Sequence, residues 1–545
     1  MNALTRLFRG DAVGAASSTR SRPTARYLRG DRSGILHMRR AVTRDARHDV
    51  RDAAGRASAL ALDFLHNSGW IAGAADQIVA DTVGEELKLN ARPDLARLGY
   101  TVEERSAWCR EVEAEWRRWA WSPAECDLAG KCTFAEMLDG VMRHYLAYGE
   151  ALGVLDYMPT AQRRPLGLET GTKVSLIPPH RLPRVSRELD GLEDGIFHDA
   201  YGRPTVFRFK QRSAGFELDK DVPARAVIHV MDRGENPGAP RGISLLAPIL
   251  KVIAQYDQLA DATLATALLQ TAFAATIKSP EPSEQAFQAI QTLEDIEAPA
   301  GYDAEDWAGL VGELTADLFE VWTQRIGALK EHGIAMNDPA RINHLGPGET
   351  FEMHTAATPG SQYLPFSRNL QREMARRLGV TFESLAMDHS NATYSSVRMG
   401  ISSIWPIVLR RRTRIAAPFA DRVYAAWLDE MIGTGRIGFK GGYQAFAANR
   451  SRVTFAEWNG PAKPVADDYR AAMAKKVRLE LGVTSLSDEC ADDGKDWEEN
   501  ALQVAREMQF LETNGIPHPF GRTQGGAGPE GAAADGNRTP AKEDA

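Results

Sequence analysis

The stretch SLLAPILKVIAQYDQLADATLATALLQTAFAATI, residues 244–277, carries a long helical pattern. Apolar side chains recur at spacings of three and four, as at Ile249, Ile253 and Tyr256, and this predicts one helix from Ser244 to Ile277. At 1.5 Å per residue, about 33 residues would extend about 50 Å, more than a compact core normally needs. The small Ala and Thr side chains of residues 262–277 leave two alternatives open: a buried core helix, or a helix packed against copies of itself in a ring. The charge-free part is too short for a membrane span.

On the amino-terminal side of this helix, the pattern is that of short strands. Residues 153–232 contain the β runs VSLIP, GIFHDAYGRPTVFRFK and ARAVIHVMD, separated by turn residues. The Gly- and Pro-rich segment RGENPGAPRGIS then ends the strand pattern. We therefore expect a β-rich insert ahead of the long helix.

Helices are predicted before the insert. Residues 59–84 have helical periodicity, and two capping boxes follow, Thr101 with Glu104 and Thr133 with Glu136. A capping box marks a helix start because its two side chains satisfy amide groups that the helix cannot.

The carboxy-terminal part is also mainly helical. Residues 278–357 are mixed, a second helix is predicted from Ser361 to Leu378, and a long helix kinked at Pro406 from Tyr394 to Ile432. Residues 464–515 should form further helices, the last ended by Asn514 and Gly515, and the tail from residue 516 should be disordered. The fold class predicted from the whole pattern is mainly α with a β-rich insert (α+β).

Charge is uneven along the 545 residues. Residues 1–48 contain eleven Arg, no Lys and three Asp, a formal charge of +8 that leaves −16 for residues 49–545 out of a total of −8. This start is consistent with a basic arm that touches nucleic acid or a partner, or with an organelle presequence. Four scattered cysteines without a C-x-x-C pair favour a reducing, cytoplasmic origin.

The stretch DHSNATYSSVR, residues 388–398, places Asp388, His389 and Ser390 side by side between two predicted helices. A Ser-His-Asp relay needs side chains that converge, usually from distant parts of the chain, whereas adjacent side chains diverge. The sequence therefore favours a loop over a hydrolytic site.

Other motifs that suggest chemistry lack the required context. GTGRIG, with Gly433, Gly435 and Gly438, follows a helix and not a strand, so it reads as a helix stop and a turn. AGKC at residues 129–132 lacks the first Gly and the Ser or Thr of a phosphate loop. None of the His and Cys residues has zinc-ligand spacing, so we expect neither a metal nor a cofactor.

The segment RRRTR is the densest basic cluster outside the arm. Two alternatives remain: the side chains bind phosphates, or they pair with acidic residues of a neighbouring helix or subunit. An acidic chain argues against a strong clamp on nucleic acid. The residues are Arg410, Arg411, Arg412 and Arg414.

Several stretches, in the same order, resemble the lambda family of phage portal proteins. These include LALDFLHNSGWIAGAADQIVADTVG, VIHVMDRGENPGAPRGISLLAPILKVIAQYDQLADATLATALLQTAFAATIKS, LGVTFESLAMDHSNATYSSVRMGISSIWPIVLRRR and LELGVTSLSDECADDGKDWEENALQVAREM. The resemblance covers about residues 55–513.

The resemblance implies a portal fold with named regions. They are a basic flexible arm (1–54), a wing of helices and the β-rich insert (55–242), a descending stem helix (243–277), a clip (278–358), a returning stem helix (359–379), a tunnel loop (380–396), a long kinked helix with the following segment (397–463), a crown (464–515) and a disordered tail (516–545).

The resemblance also implies that the tunnel loop faces the DNA channel. Its short, neutral side chains suit a duplex that must slide and not be gripped. The implied DNA-facing residues are Asp388, His389, Ser390, Asn391, Ala392, Thr393, Tyr394, Ser395 and Ser396.

The function that the resemblance implies is structural and non-enzymatic. It is a ring of twelve copies at one capsid vertex, assembled in the host cytoplasm, that seeds head assembly and conducts double-stranded DNA during packaging and ejection. The implied partners are other copies of the chain, the terminase large subunit, the major capsid or scaffold protein, a head–tail connector and DNA of any sequence, with no membrane. The alternative from another class is a cytoplasmic hydrolase or a nucleotide-dependent enzyme.

Overall fold

The structure is a computed structural model. It describes residues 46–517 apart from residues 214–215, 235–236, 273–274, 279–302, 304, 314–315, 317–319, 321–349, 354–361, 391 and 466. Most of the predicted arm, most of the predicted clip and nearly all of the predicted tail lie outside the described residues.

Helices account for most of the described chain. They are α1 (Ala46–Asn67), α2 (Gly69–Thr82), α3 (Val102–Ala120), α4 (Pro123–Cys126), α5 (Phe134–Tyr148), α6 (Thr160–Arg163), α7 (Leu250–Ala272), α8 (Tyr363–Leu378), α9 (Phe382–Ala386), α10 (Tyr394–Arg411), α11 (Ala417–Gly433), α12 (Gly442–Val453), α13 (Asp468–Glu480), α14 (Leu486–Asp492) and α15 (Trp497–Thr513). Residues 305–313 are helical as well.

The strands are short. They are β1 (Lys88–Ala91), β2 (Glu150–Tyr157), β3 (Thr172–Ile177), β4 (Leu192–Glu193), β5 (Ile196–His198), β6 (Pro204–Ser213), β7 (Phe216–Pro223), β8 (Val227–Met231), β9 (Ala275–Lys278), β10 (Thr350–Met353) and β11 (Ala456–Asn459). The predicted fold class, mainly α with a β-rich insert, is confirmed.

Both predicted capping boxes start helices. The Thr101 hydroxyl accepts from the amide of Glu104 at the start of α3, and Thr133 accepts from Glu136 at the start of α5, each with the reciprocal bond. The expectation of a flexible arm up to residue 54 fails at its end, because α1 already begins at Ala46 and buries Ala54.

The β-rich insert consists of two antiparallel sheets. One has the strand order β3-β2-β8 and the other β4-β5-β6-β7. Phe207 and Phe209 alternate with Arg208 on β6, so the two rings lie in a small second core with Leu152 and Ile196. The first sheet also joins the main core, through Val174 of β3 and Ile228 of β8, and attaches the insert to the helices.

The main core lies between the amino-terminal helices and α11. Trp116 of α3 is its centre, because its ring contacts the rings of Trp119, Phe134, Tyr424, Trp427 and Trp458 at centroid distances of 5.1–5.7 Å. Rings from three distant segments meet here, so this cluster fixes α11 and β11 against α3.

The two helices predicted at residues 244–277 and 361–378 are present, but the first is shorter than predicted. Pro248 lies in a 3-10 turn ahead of Leu250, and Ala275–Lys278 form β9, not helix, since Thr276 and Ile277 are β-branched and pair with β10. The helix α7 is therefore about 35 Å long. The returning helix α8 agrees with its prediction to within two residues.

The ladder between β9 and β10 fixes the direction of these two helices. The strands are antiparallel, with Ala275 opposite Met353 and Lys278 opposite Thr350. Because β9 follows α7 and β10 precedes α8, the two helices form a hairpin whose chain continues and returns through the paired strands. Residues 279–349 are inserted in the sequence between these two strands. The hydroxyl of Tyr256 on α7 accepts a hydrogen bond from Gln371 on α8 at 3.1 Å.

The long helix predicted from Tyr394 to Ile432 is α10 and α11, joined by a π-helical turn at Arg412–Ala416. The helix α10 continues through Pro406, the position of the predicted kink. The irregular turn lies further along, at Arg412–Ala416. Pro418 follows the π turn and has no amide hydrogen, which removes a regular α-helical bond at this point.

The C-terminal helices α13, α14 and α15 follow β11. The end of α15 is as predicted, since Gly515 has a φ of 66° and the amide of Ile516 donates to the carbonyl of Leu511 at 2.9 Å. This is the glycine-dependent reversal that ends many helices.

Candidate functional site

The loop that connects α9 to α10 is the predicted site. It starts at Met387, which ends α9 with a left-handed backbone (φ 50°), and the amide of Ala392 donates to the carbonyl of His389 at 3.0 Å. Asn391 and the side chain of Tyr394 lie outside the described residues. The exposed members of the predicted set are His389, Ser390, Thr393, Ser395 and Ser396.

Asp388 shapes this loop. Its carboxylate accepts from the amide of Ser390 at 3.0 Å, from the hydroxyl of Ser390 at 2.5 Å, and from the guanidinium of Arg368 at 3.2 Å. The bonds from Ser390, and then the charge of Arg368, hold the pKa of Asp388 below its usual value. Asp388 is therefore an ionised residue that is already paired within the chain.

These contacts do not form a hydrolytic relay. The Ser390 hydroxyl donates directly to Asp388, whereas a relay needs the imidazole between the hydroxyl and the carboxylate. The contact is instead an Asx-type turn, which stabilises a short loop.

The start of α10 uses the next two hydroxyl side chains. The amide of Ser396 donates to the Thr393 hydroxyl at 3.2 Å, and the amide of Thr393 donates to the Ser396 hydroxyl at 2.9 Å. Each oxygen satisfies an amide that lacks a helical partner. In the part that the structure describes, the loop therefore presents short hydroxyl groups and the His389 side chain, and its carboxylate, Asp388, is paired.

The loop is attached to α8. Arg368 of α8 reaches Asp388, and the guanidinium of Arg372, one turn further along α8, lies 5.4 Å from the ring centroid of Phe382 in α9. These two arginines were not identified from the sequence. Their partners lie beyond the end of α8, and the sequence pattern does not predict the direction that the chain takes there.

The four arginines of the basic cluster make contacts within the chain. Arg410 and Arg414 both pair with Asp232, at 3.0 and 3.2 Å, at the end of β8. Asp232 keeps a pKa below its usual value although it is partly desolvated, because an amide of Gly234 and these two cations stabilise its charge. Contact of the cluster with another subunit or with phosphate stays a prediction.

The other two arginines are buried. Arg411 donates to the carbonyl of Leu378 at 2.6 Å, and Arg412 donates to the carbonyls of Asp81, Thr82 and Pro461 at 3.0–3.1 Å. Leu378 ends α8, and Thr82 ends α2. Two arginines next to each other thus close the carboxyl ends of two helices, where carbonyl groups lack partners and cations are favoured.

A buried ionic centre connects the β-rich insert to the segment ahead of α7. Glu150 of β2 is inaccessible to solvent and accepts two bonds from Arg241 at 2.8 and 3.0 Å, with His229 of β8 at 2.9 Å. Burial alone would raise the pKa of Glu150, but Arg241 and His229 lower it well below its usual range. Arg241 also donates to carbonyls of Leu182, Asp194 and Pro179.

The other motifs have structural roles. Gly433 and Gly435 end α11 in a turn, as predicted, and the carbonyl of Gly438 accepts from the Trp108 indole at 2.9 Å. In AGKC, amides of Ala129, Lys131 and Cys132 donate to Asp127 at 2.8–3.2 Å, so the chain's own carboxylate occupies the place where a phosphate would bind.

The described residues contain no group of three or more His, Cys, Asp or Glu side chains placed to hold a metal ion. Within the same residues, no helix is both long and apolar enough to cross a membrane.

Comparison with known proteins decides the family. A family model described as "Phage portal protein, lambda family" matches residues 32–412. This chain belongs to the lambda family of phage portal proteins. The family inferred from the sequence is therefore confirmed, and the family is a structural, non-enzymatic component of phages.

Two curated portal proteins match along most of their length. Portal protein B of Escherichia phage lambda is 25% identical over 478 residues, which are 85% of this chain and 85% of that protein. The portal protein of Escherichia phage N15 is 25% identical over 485 residues, 85% of this chain and 86% of the other. Both relatives are portal proteins of phage particles.

Solved structures with a related chain are more distant. The neck of an empty gene transfer agent particle gives a TM-score of 0.41 at 14% identity and covers 73% of this chain and 86% of the other. An HK97-family portal protein from Corynebacterium diphtheriae gives a TM-score of 0.28 at 11% identity, with 67% and 87% coverage.

Proposed function

We propose that this portal protein forms a ring of twelve copies at one capsid vertex and that double-stranded DNA passes through its centre. The observation that carries the proposal is the family match over residues 32–412. The shape of the chain supports it, because the antiparallel pair α7 and α8 is a long hairpin that projects a large insert at one end.

The regions are assigned from that hairpin. The helices α7 and α8 are the stem, residues 279–349 belong to the clip, the amino-terminal helices with the β-rich insert form the wing, and α13–α15 form the crown. The clip lies at the far end of the stem, so it is the surface for the terminase large subunit during packaging and for the connector afterwards. Hydrolysis of ATP belongs to the terminase.

The loop between α9 and α10 is the part of each subunit that meets DNA. Its one described carboxylate, Asp388, is paired with Arg368, and its exposed hydroxyl side chains, Ser390 and Thr393, are short and neutral. Few counterions are released when such a surface meets the duplex, so contact is weak and independent of DNA sequence. The ring assembles in the host cytoplasm with the capsid or scaffold protein as its neighbour.

A single added charge tests the position of the loop. In a phage whose portal carries Ser390→Lys, each subunit presents a new cation while the backbone amide bond to Asp388 is kept. We expect slower DNA packaging and a dependence on salt that the parent lacks, because each phosphate contact steepens the logarithmic salt dependence of binding by about 0.9.

The matched control is Ser451→Lys, at an exposed serine of α12 away from the loop. Packaging by the control should follow the parent. If Ser390→Lys and Ser451→Lys package DNA at the same rate at low and at high salt, the loop does not face DNA.

A further inference from the structure

The two ends of the segment that carries the loop meet at Arg411. The segment leaves α8 at Leu378, passes through α9, the loop and α10, and comes back to the same place, because Nη2 of Arg411 donates to the carbonyl of Leu378 at 2.6 Å. The helix α10 has 18 residues, so Arg411 lies about 25 Å from the end of α10 that joins the loop. Arg411 can therefore act on the loop only through α10.

The end of α8 packs closely against one face of α10. Gly379, which ends α8, has a φ of 69°, and a Cβ atom on it would lie 3.1 Å from Cγ2 of Ile407 and 3.3 Å from Nη2 of Arg411. Ile407 and Arg411 are four residues apart, so they share one face of α10. Two turns nearer the loop, a Cβ atom on Gly400 would lie 3.3 Å from Cγ2 of Thr381. The helix α10 therefore lies directly against the chain that connects α8 to α9.

The guanidinium of Arg411 is a buried cation. The residue is 5% exposed, and burial lowers its pKa, although an arginine keeps its charge in proteins. Among the described residues, no carboxylate forms an ion pair with Arg411, and its Nη1 is buried without a hydrogen-bond partner. Arginine is almost never fully buried unless it is paired. Packing alone therefore does not account for this side chain.

The buried charge makes the position of α10 along α8 specific. A shift of α10 by one residue would move its side chains by about 1.5 Å along the helix axis and turn them by about 100°. Such a shift would take the guanidinium away from the carbonyl of Leu378, and a buried cation without its acceptor is costly. An apolar side chain would tolerate the shift. Buried polar groups fix the register of helices in coiled coils for the same reason.

The direct contact between the loop and α8 is weaker. Arg368 pairs with Asp388 at 3.2 Å, but each side chain is about one-third exposed. Ion pairs that are open to solvent contribute little to stability. The place of the loop therefore depends mainly on the position of α10.

We propose that Arg411 is a positioning residue, which fixes the register of α10 against α8 and so fixes the place of the loop between α9 and α10. The inference rests on the proposed function only where it assigns this loop to the DNA channel. The effect of Arg411 passes through the carbonyl of Leu378 and along α10.

Double electron–electron resonance measures the place of the loop within one chain. Nitroxide labels are attached to p-acetylphenylalanine at two exposed positions of the full-length protein, Ser395 in the first turn of α10 and Glu111 on α3. Labelled protein is diluted with unlabelled protein, so that each distance joins two sites of the same copy. The wild type should give one narrow distribution of distances, and Arg411→Met should at least double its width.

The control is Glu150→Gln, which removes a buried charge elsewhere. None of the described contacts of Glu150 is with α8 or α10. Its distribution should keep the width of the wild type although the protein is less stable. Arg411→Gln, which is neutral and too short to reach the carbonyl of Leu378, should broaden the distribution as Arg411→Met does, and it takes the place of that variant if Arg411→Met does not fold.

Two outcomes overturn the inference. One is a distance and a width in the Arg411 variants that equal those of the wild type, and the other is equal broadening by Glu150→Gln. Because the two labels are in one chain, the result does not depend on assembly. If rings form and the distances do not change, the role of Arg411 is wrong and the ring stands. If wild-type protein forms no ring, the proposed function is wrong, and the distances still decide the role of Arg411.

Discussion

At the scale of single residues, Glu150 is a fully buried carboxylate that depends on its ion pair with Arg241. Removing one partner of a buried ion pair leaves the other charge without compensation, which costs about 3–5 kcal/mol. Glu150→Gln keeps an oxygen acceptor but leaves Arg241 uncompensated. We expect the free energy of unfolding to fall by about 3–5 kcal/mol at pH 7, measured by chemical denaturation.

The pH dependence of that loss has a definite sign. Since the pKa of Glu150 is lowered in the folded chain, its stabilising effect is complete above the pKa of an unfolded Glu, about 4.3. The effect is lost as the pH falls through the folded pKa. The difference between wild type and Glu150→Gln should thus be constant above about pH 5 and shrink in more acidic solution. Glu457→Gln, which breaks the exposed pair with Arg92, is the control and should change stability little.

The pKa of Glu113 on α3 is shifted in the opposite direction from that of Glu150. Its carboxylate accepts from the amide of Ala91 at 2.7 Å, but burial, and then the charges of Asp496, Glu499 and Glu498 at the start of α15, raise its pKa to about 7. The folded chain binds this proton more tightly than the unfolded chain, so stability falls as the pH rises from about 4.3 to about 7.

Glu113→Gln removes that titration and keeps the acceptor for Ala91. Relative to wild type, its free energy of unfolding should increase between pH 4.5 and pH 8 by on the order of 2 kcal/mol. The same substitution at Glu111, exposed on the same helix, should give no such trend. A difference between wild type and Glu113→Gln that does not vary with pH would show that the carboxyl does not titrate in this window.

At the scale of elements, the joint between α10 and α11 depends on Arg412. Arg412→Ala leaves carbonyls of Asp81, Thr82 and Pro461 without their donor. The free energy of unfolding, measured by chemical denaturation, should therefore fall by about 2–4 kcal/mol. Arg414→Ala, on the same π turn, removes one exposed partner of Asp232 and should cost about 0.2–1 kcal/mol. Equal losses for the two variants would contradict the capping role.

Local signals in the sequence were sufficient for the helix starts and the β-rich insert, because capping boxes and two-residue alternation act over a few neighbours. Thr101, Thr133 and Gly515 are examples. The π turn could not be predicted, since RRRTRIA has no pattern that differs from an ordinary helix. At this turn Arg411 contacts the end of α8 and Arg412 the end of α2, and both helices are distant in the sequence.

The candidate site shows the same division. The sequence indicated a short polar loop at residues 388–396, and the structure shows how its hydroxyl groups cap α10 and close the turn at Asp388. The anchor at Arg368 and the ionic centre at Glu150 depend on which helix faces which strand. No spacing along the chain contains that information.

At the scale of the whole molecule, one chain exposes surfaces that a single copy cannot cover. The helix α13 exposes Tyr469, Met473 and Val477, and α7 exposes Leu264 and Leu268 along a helix rich in small side chains. Large exposed apolar surfaces mark contacts with other molecules. In the ring that we propose, repetition around an axis covers them and encloses a hole lined by the loop between α9 and α10.

The most direct measurement is a cryo-electron microscopy reconstruction of the purified full-length protein. The account predicts a closed ring whose central hole admits double-stranded DNA, with α7 and α8 along the wall and residues 387–393 on the inner surface. A compact particle without a hole, in which residues 387–393 lie in a cleft within one subunit, would contradict it.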